Sequence, residues 1–341
     1  MEHSHLMRNL LLLTVITGCA SAQQLQFADL GECKLTSGES IQNCRIGYRT
    51  FGTLNAAKSN AVLFPTWFTG TTADLEGQIG PGKVVDSTNL FVIAVDAIGN
   101  GVSSSPSNST AQPRMRFPQF TIRDMINSQH RLVTEKLGIR HLYAVMGISM
   151  GGMQTFEWIT AYPDFMDRAV PIVGSPQLTS YDLLLWEAEL RGIEENKDWN
   201  AGNYTEQPAL RSVHDMHTFA LMTPEGRVRE TTRAKFADFL RTTEKPPSTF
   251  DANDWLRQLQ AMMAHDVAAS VGGDLRAAAK QVKARVLNVV AAHDHMVNPG
   301  PASRYADLIG AKTLVLNGDC GHLANGCESA LLNPQVNAFL K

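Results

Sequence analysis

Ser149 sits in Gly147-Ile148-Ser149-Met150-Gly151, a G-x-S-x-G pattern. An apolar, partly β-branched run from Tyr143 leads into it, and helix-forming residues follow from Met153 to Tyr162. This reads as a buried strand, a sharp turn and a helix, with the serine hydroxyl exposed at the apex. Glycines two residues to either side of the serine keep Cβ atoms out of a turn too tight to hold them. Met150 gives its N–H to the helix start, where free amides and the dipole favour negative charge. A hydroxyl placed there can attack a carbonyl, and the developing oxyanion finds donors waiting. The bare pattern also arises by chance in Gly- and Ser-containing loops; the flanking strand and helix set this one apart.

A serine hydroxyl is a weak nucleophile at neutral pH and needs an imidazole to take its proton and an acid to orient that imidazole. Asp294 follows the apolar run 285–292, and His322 follows the run 312–316 in a Gly-His context. Ser149, Asp294 and His322 are therefore expected just past the carboxyl ends of parallel strands, where such sheets place their sites. Asp319 is the competing acid, but it lies too close in sequence to His322. His293-Asp294-His295 also has the look of a metal site, yet two alternating histidines bring no further ligand motif, so no metal and no cofactor are expected. The second oxyanion donor is expected from the backbone N–H of Trp67 or Phe68, beside that of Met150.

The elements that must position these groups alternate along the chain. Residues 24–52 read as two antiparallel strands joined by a turn at Thr36-Ser37-Gly38-Glu39, and strands follow at 60–64 and 90–96. A helix over 122–137, closed by Gly138, precedes the strand into Ser149, and another strand follows at 169–174. This alternation implies a mostly parallel sheet covered on both faces. From 178 to 280 the strand signal stops, and helical segments such as 181–191 and 255–267 point to a helical lid over the carboxyl end of the sheet. The division is thus 1–22 as an export signal, 23–177 and 281–341 as the two parts of the core, and 178–280 as the lid.

The export reading rests on Arg8, the apolar stretch 10–16 and the small residues ending in Ala20-Ser21-Ala22. That stretch is far short of the roughly 20 residues a membrane span needs. Ile16-Thr17-Gly18-Cys19 also resembles a bacterial lipobox, which leaves a lipid anchor on Cys19 as the alternative to soluble export. Cleavage after Ala22 leaves Cys33, Cys44, Cys320 and Cys327, an even number that suits two local disulfides in an oxidising compartment. Cys33 and Cys44 lie symmetrically about the first hairpin turn, and Cys320 and Cys327 close a loop around His322. A net charge of −3 gives no basic footprint for nucleic acid.

At the level of whole segments the chain resembles the homoserine O-acetyltransferase family of α/β-hydrolase-fold enzymes. The likeness is carried by 48–55 (YRTFGTLN), 121–138 (TIRDMINSQHRLVTEKLG), 147–163 (GISMGGMQTFEWITAYP) and the segments around Asp294 and Gly321-His322. It implies the α/β-hydrolase fold with a helical lid, a homodimer, and an acyl group passed from a donor such as acetyl-CoA through Ser149 to a hydroxyl. Two departures bear on the acceptor. The acid that usually follows the catalytic histidine is Leu323 here, and the usual His-Ala-Leu-Thr-Gly turn reads Thr66-Trp67-Phe68-Thr69-Gly70. Export would also separate the enzyme from cytosolic acetyl-CoA and homoserine. The expected activity is therefore ester hydrolysis through an acyl-enzyme, with an O-acyltransferase using another alcohol as the alternative. A non-catalytic member whose lid binds a partner is the third reading, and three residues placed this way argue against it. Arg211 is singled out as an anion anchor.

Overall fold

The computed structural model describes residues 23–243 and 250–341. Residues 1–22, on which the export signal and Cys19 fall, lie outside them. Eight strands form one sheet: β1 (Gln26–Lys34), β2 (Ser40–Phe51), β3 (Ala61–Pro65), β4 (Phe91–Val95), β5 (Leu142–Ile148), β6 (Met166–Ile172), β7 (Arg285–Ala291) and β8 (Lys312–Leu316). Their order is β1-β2-β4-β3-β5-β6-β7-β8, antiparallel at the β1-β2 and β2-β4 pairings and parallel from β4 onward. The crossover between β3 and β4 puts β3 next to β5, so the oxyanion turn and the serine turn leave neighbouring strands.

The central strands are buried along nearly their whole length, which is why they read as continuous apolar runs rather than alternating ones. One face packs Leu63, Val145 and Ala169 against α1 (Ile122–Arg131) and α2 (Met150–Ala161). The other packs Phe64, Met146 and Val170 over Leu332 and Val336 of the C-terminal helix Ser329–Phe339. Helix α1 is shorter than the sequence suggests: after Arg131 the chain widens into a π-helical turn, Leu132–Lys136, before Gly138 ends it at φ +61°.

Between β6 and β7 the described residues contain no strand. They include α3 (Ser180–Glu194), α4 (Arg211–Leu221) and α5 (Ala252–Met263), which together with shorter turns form the lid. Trp186, Val213 and Trp255 bury the lid against the same core as the sheet. No helix of the described residues is long and apolar enough to cross a membrane. Both disulfides are formed, Cys33–Cys44 and Cys320–Cys327. The first pair is not directly cross-strand: bulges in β1 set Cys33 opposite Ile41 and Cys44 opposite Gly31, so the bridge runs diagonally.

Candidate active site

Strand β5 ends in the turn that carries Ser149, whose backbone is held at φ 57°, ψ −119°. A non-glycine residue there is strained, and the surroundings must over-determine it. They do: the Ser149 N–H donates to Ile172 O at 2.8 Å, tying the turn to β6. A Cβ on Gly147 would lie 2.2 Å from Gly151 O, and one on Gly151 would lie 2.7 Å from Pro65 O. Only glycine allows β5, α2 and the end of β3 to come this close. The buried, apolar α2 then presents its N-terminus at the hydroxyl.

Asp294 and His322 reach the same point from β7 and β8. Asp294 Oδ1 accepts the N–H groups of Met296 at 2.8 Å and Val297 at 2.9 Å. Its Oδ2 lies 2.7 Å from His322 Nδ1, and His322 Nε2 lies 2.8 Å from Ser149 Oγ. Both the acid and the imidazole are buried. A carboxylate oxygen can only accept, so Nδ1 carries the imidazole proton and the Nε2 lone pair faces the serine hydroxyl. That tautomer is the one able to take a proton from Oγ. The loop leading to His322 is pinned by Glu328, which accepts from Gly318 N at 2.8 Å, and by the Cys320–Cys327 bridge. Asp319 points elsewhere, into a surface ion pair with Arg229.

The turn after β3 lies beside the serine turn. The N–H groups of Trp67, Phe68 and Met150 have no protein acceptor among the described residues. Thr69 is held at φ +65° with its N–H on Gln258 Oε1 at 3.1 Å, while Gln258 Nε2 donates to Ile98 O at 3.2 Å. Below the turn, Asp96 accepts from Thr72 N, Thr72 Oγ1 and Asn100 Nδ2, each at 2.8 Å. Burial pushes the Asp96 carboxyl above the usual range, partly offset by those donors. Gln258 and Asp96 are invisible as site residues in the sequence, because a lone buried Gln or Asp has no motif.

Lid and sheet enclose a cavity of about 470 Å³ at Ser149 and His322. Its wall is mainly apolar, with Trp67, Phe68, Ile148, Leu221, Met296 and Leu323. Arg211, at the start of α4, is exposed and does not line this cavity. No group of metal-holding side chains occurs among the described residues. Asp182 ties the lid to the loop that carries Asp294. It closes the capping box of α3 with Thr179, and its Oδ1 accepts the Asn298 N–H at 2.7 Å, four residues past Asp294. The T-x-x-D spacing before an apolar helix was a signal for the cap but not for the second contact.

A parallel sheet flanked by helices, with Ser, Asp and His meeting at the carboxyl ends of its strands, is the arrangement of an α/β-hydrolase. The chain belongs to that fold family, whose profile matches residues 62–326. Within it the protein is related to acetyl esterases and homoserine acetyltransferases. It is 34% identical to an ethyl acetate hydrolase of Pseudomonas veronii over 285 residues, 79% of this chain and 80% of that one. It is 31% identical to a homoserine O-acetyltransferase of Trichormus variabilis over 328 residues, 90% of each chain. Among solved structures, an acetylester hydrolase from Corynebacterium glutamicum superposes with a TM-score of 0.87 at 29% identity, covering 93% of this chain and 96% of the other.

Proposed function

We propose that this protein is a serine ester hydrolase acting on small acyl esters, acetyl esters in particular. The observation that carries it is the unbroken line Asp294–His322–Ser149 on a strained turn, with unpaired N–H groups beside it. Ser149 Oγ attacks the ester carbonyl while His322 Nε2 takes its proton. Met150 N–H and the N–H of Phe68 or Trp67 stabilise the tetrahedral oxyanion. The alcohol leaves with the proton from Nε2, and a water molecule, activated by the same nitrogen, releases the acid and restores the serine.

Leu323 supports water over an amino-acid alcohol as the acceptor. The residue after His322 presents an isobutyl group to the cavity and offers nothing to an ammonium group. The esterase names among the similar proteins agree with this. The same acyl-enzyme would serve an O-acetyltransferase, a reading supported by the relatives of that name. Residues 1–22 are proposed as an export signal, a reading supported by the even set of bridged cysteines.

Single-turnover kinetics with p-nitrophenyl acetate, with and without homoserine or other alcohols, tests the reading. The expected result is a burst of p-nitrophenol that is lost in Ser149→Ala, with turnover insensitive to the alcohols. Faster turnover together with acyl transfer to a particular alcohol would make the protein an acyltransferase. A lack of burst, with no fluorophosphonate labelling of Ser149, would leave a non-catalytic fold member.

A further inference from the structure

The lid holds a second carboxylate–imidazole pair that the chemistry above does not use. Glu189 of α3 is fully buried, and its Oε1 lies 3.1 Å from His217 Nδ1 of α4. Its other oxygen accepts the indole N–H of Trp255, from α5, at 3.2 Å. Three lid helices thus converge on one carboxylate. The His217 ring is wedged between Phe68 and Trp255, with centroids 5.6 Å and 5.4 Å away. Since the carboxylate oxygen accepts, Nδ1 carries a proton and Nε2 is turned the other way. His217 lines the same cavity as Ser149 and His322, and Nε2 has no protein partner among the described residues. Trp186, another wall residue, has a buried indole N–H that also lacks a partner.

Burying this pair carries a desolvation cost that an apolar lid would avoid. A pocket meant only for plain alkyl esters would gain nothing from it. We infer that His217, oriented by Glu189, is a specificity-determining residue that recognises a hydroxyl group of the substrate, so that the preferred ester carries a free hydroxyl in its acyl or its alcohol part. A hydroxyl both donates and accepts, so Nε2 engages it with or without a second proton on the ring. A site built to hydrogen-bond a substrate hydroxyl discriminates against the analogue lacking it, because its own polar atom is then left unpaired. The inference rests on the ester-hydrolase reading and adds to it the chemistry of the substrate.

The test compares kcat/KM for ethyl acetate, ethyl glycolate and 2-hydroxyethyl acetate. The two hydroxylated esters place the hydroxyl on the acyl and the alcohol side, so the favoured one identifies the side that meets His217. The wild type is expected to prefer one of them over ethyl acetate by about tenfold, the effect of one well-placed hydrogen bond. In His217→Phe, which keeps the ring packing, that ratio falls to near one; a merely structural defect lowers all three esters alike and leaves it unchanged. Glu189→Gln keeps the side-chain shape and is expected to lower the ratio part of the way, which keeps the test open should His217→Phe not fold. Hydrolysis without any preference in the wild type, or a ratio that survives in the folded variants, overturns the inference alone. No turnover of any of the three esters by the wild type would overturn the hydrolase reading and this inference with it.

Discussion

Asp182 Oδ1 and the backbone N–H of Asn298 are 2.7 Å apart, which joins the first turn of lid helix α3 to the loop that carries Asp294. The same carboxylate caps α3 through Thr179, so one buried side chain serves both the lid helix and the loop that carries Asp294. Removing it in Asp182→Ala strips a cap and leaves buried N–H groups unpaired. A loss of about 2 to 3 kcal/mol of stability is expected, read from urea midpoints. Activity should fall more than stability alone explains, by roughly tenfold in kcat at temperatures where the variant is fully folded, since a small misplacement of catalytic groups is costly. Unchanged kcat in folded variant would show that the loop holds Asp294 without help from the lid.

Gln258 fixes the turn after β3 from above, through Thr69 N–H and Ile98 O. In Gln258→Ala the Thr69 amide loses its acceptor and the positive-φ backbone loses a restraint. If the proposed donor at Trp67 or Phe68 acts on charge that develops during reaction, the effect should appear in kcat, down about tenfold to a hundredfold, with KM changed little. A rise in KM with kcat intact would instead place Gln258 in ground-state binding.

His265 is buried between Ser175 O, at 3.1 Å from Nε2, and Glu157, and burial holds its imidazole below the ordinary value of 6.5. A depressed histidine pKa means the unfolded chain binds the proton more readily. Its contribution to stability is therefore full above pH 6.5 and is lost as pH falls from 6.5 toward the depressed native value. Urea midpoints measured from pH 8 to 5 should decline below that point, by at most about 1.4 kcal/mol per pH unit for this one proton. The decline should be shallower in His265→Gln. An equal slope in both proteins would assign the acid sensitivity to other groups.

Leu323 occupies the position where the acetyltransferases that this chain resembles carry an acid. Leu323→Asp places a carboxylate at the cavity wall beside His322. Product analysis with p-nitrophenyl acetate and homoserine is expected to show O-acetylhomoserine formed by the variant and none by the wild type. Acyl transfer by the wild type would remove Leu323 as the reason for hydrolysis.

The tight turn at Ser149, the meeting of Ser149, Asp294 and His322 beyond the strand ends and the mostly parallel sheet were legible in the sequence because each depends on local rules. A turn that excludes Cβ atoms must be written in glycine, a strand buried on both faces must be written as an apolar run, and catalytic groups in such sheets follow strand ends. Among the described residues between β6 and β7 the helices match a stretch with no strand signal, and the bridges match an even set of cysteines. The sequence by itself did not determine which lid residues touch the site. Asp182, Gln258 and the Glu189–His217 pair act through contacts between segments far apart in the chain, and a buried polar side chain gains its meaning only from the partner that satisfies it. The diagonal bridge between Cys33 and Cys44 and the early widening of the helix after Arg131 were likewise decided by packing. Register and helix ends are set by what the neighbouring layer leaves room for, and that exists only once the chain has folded.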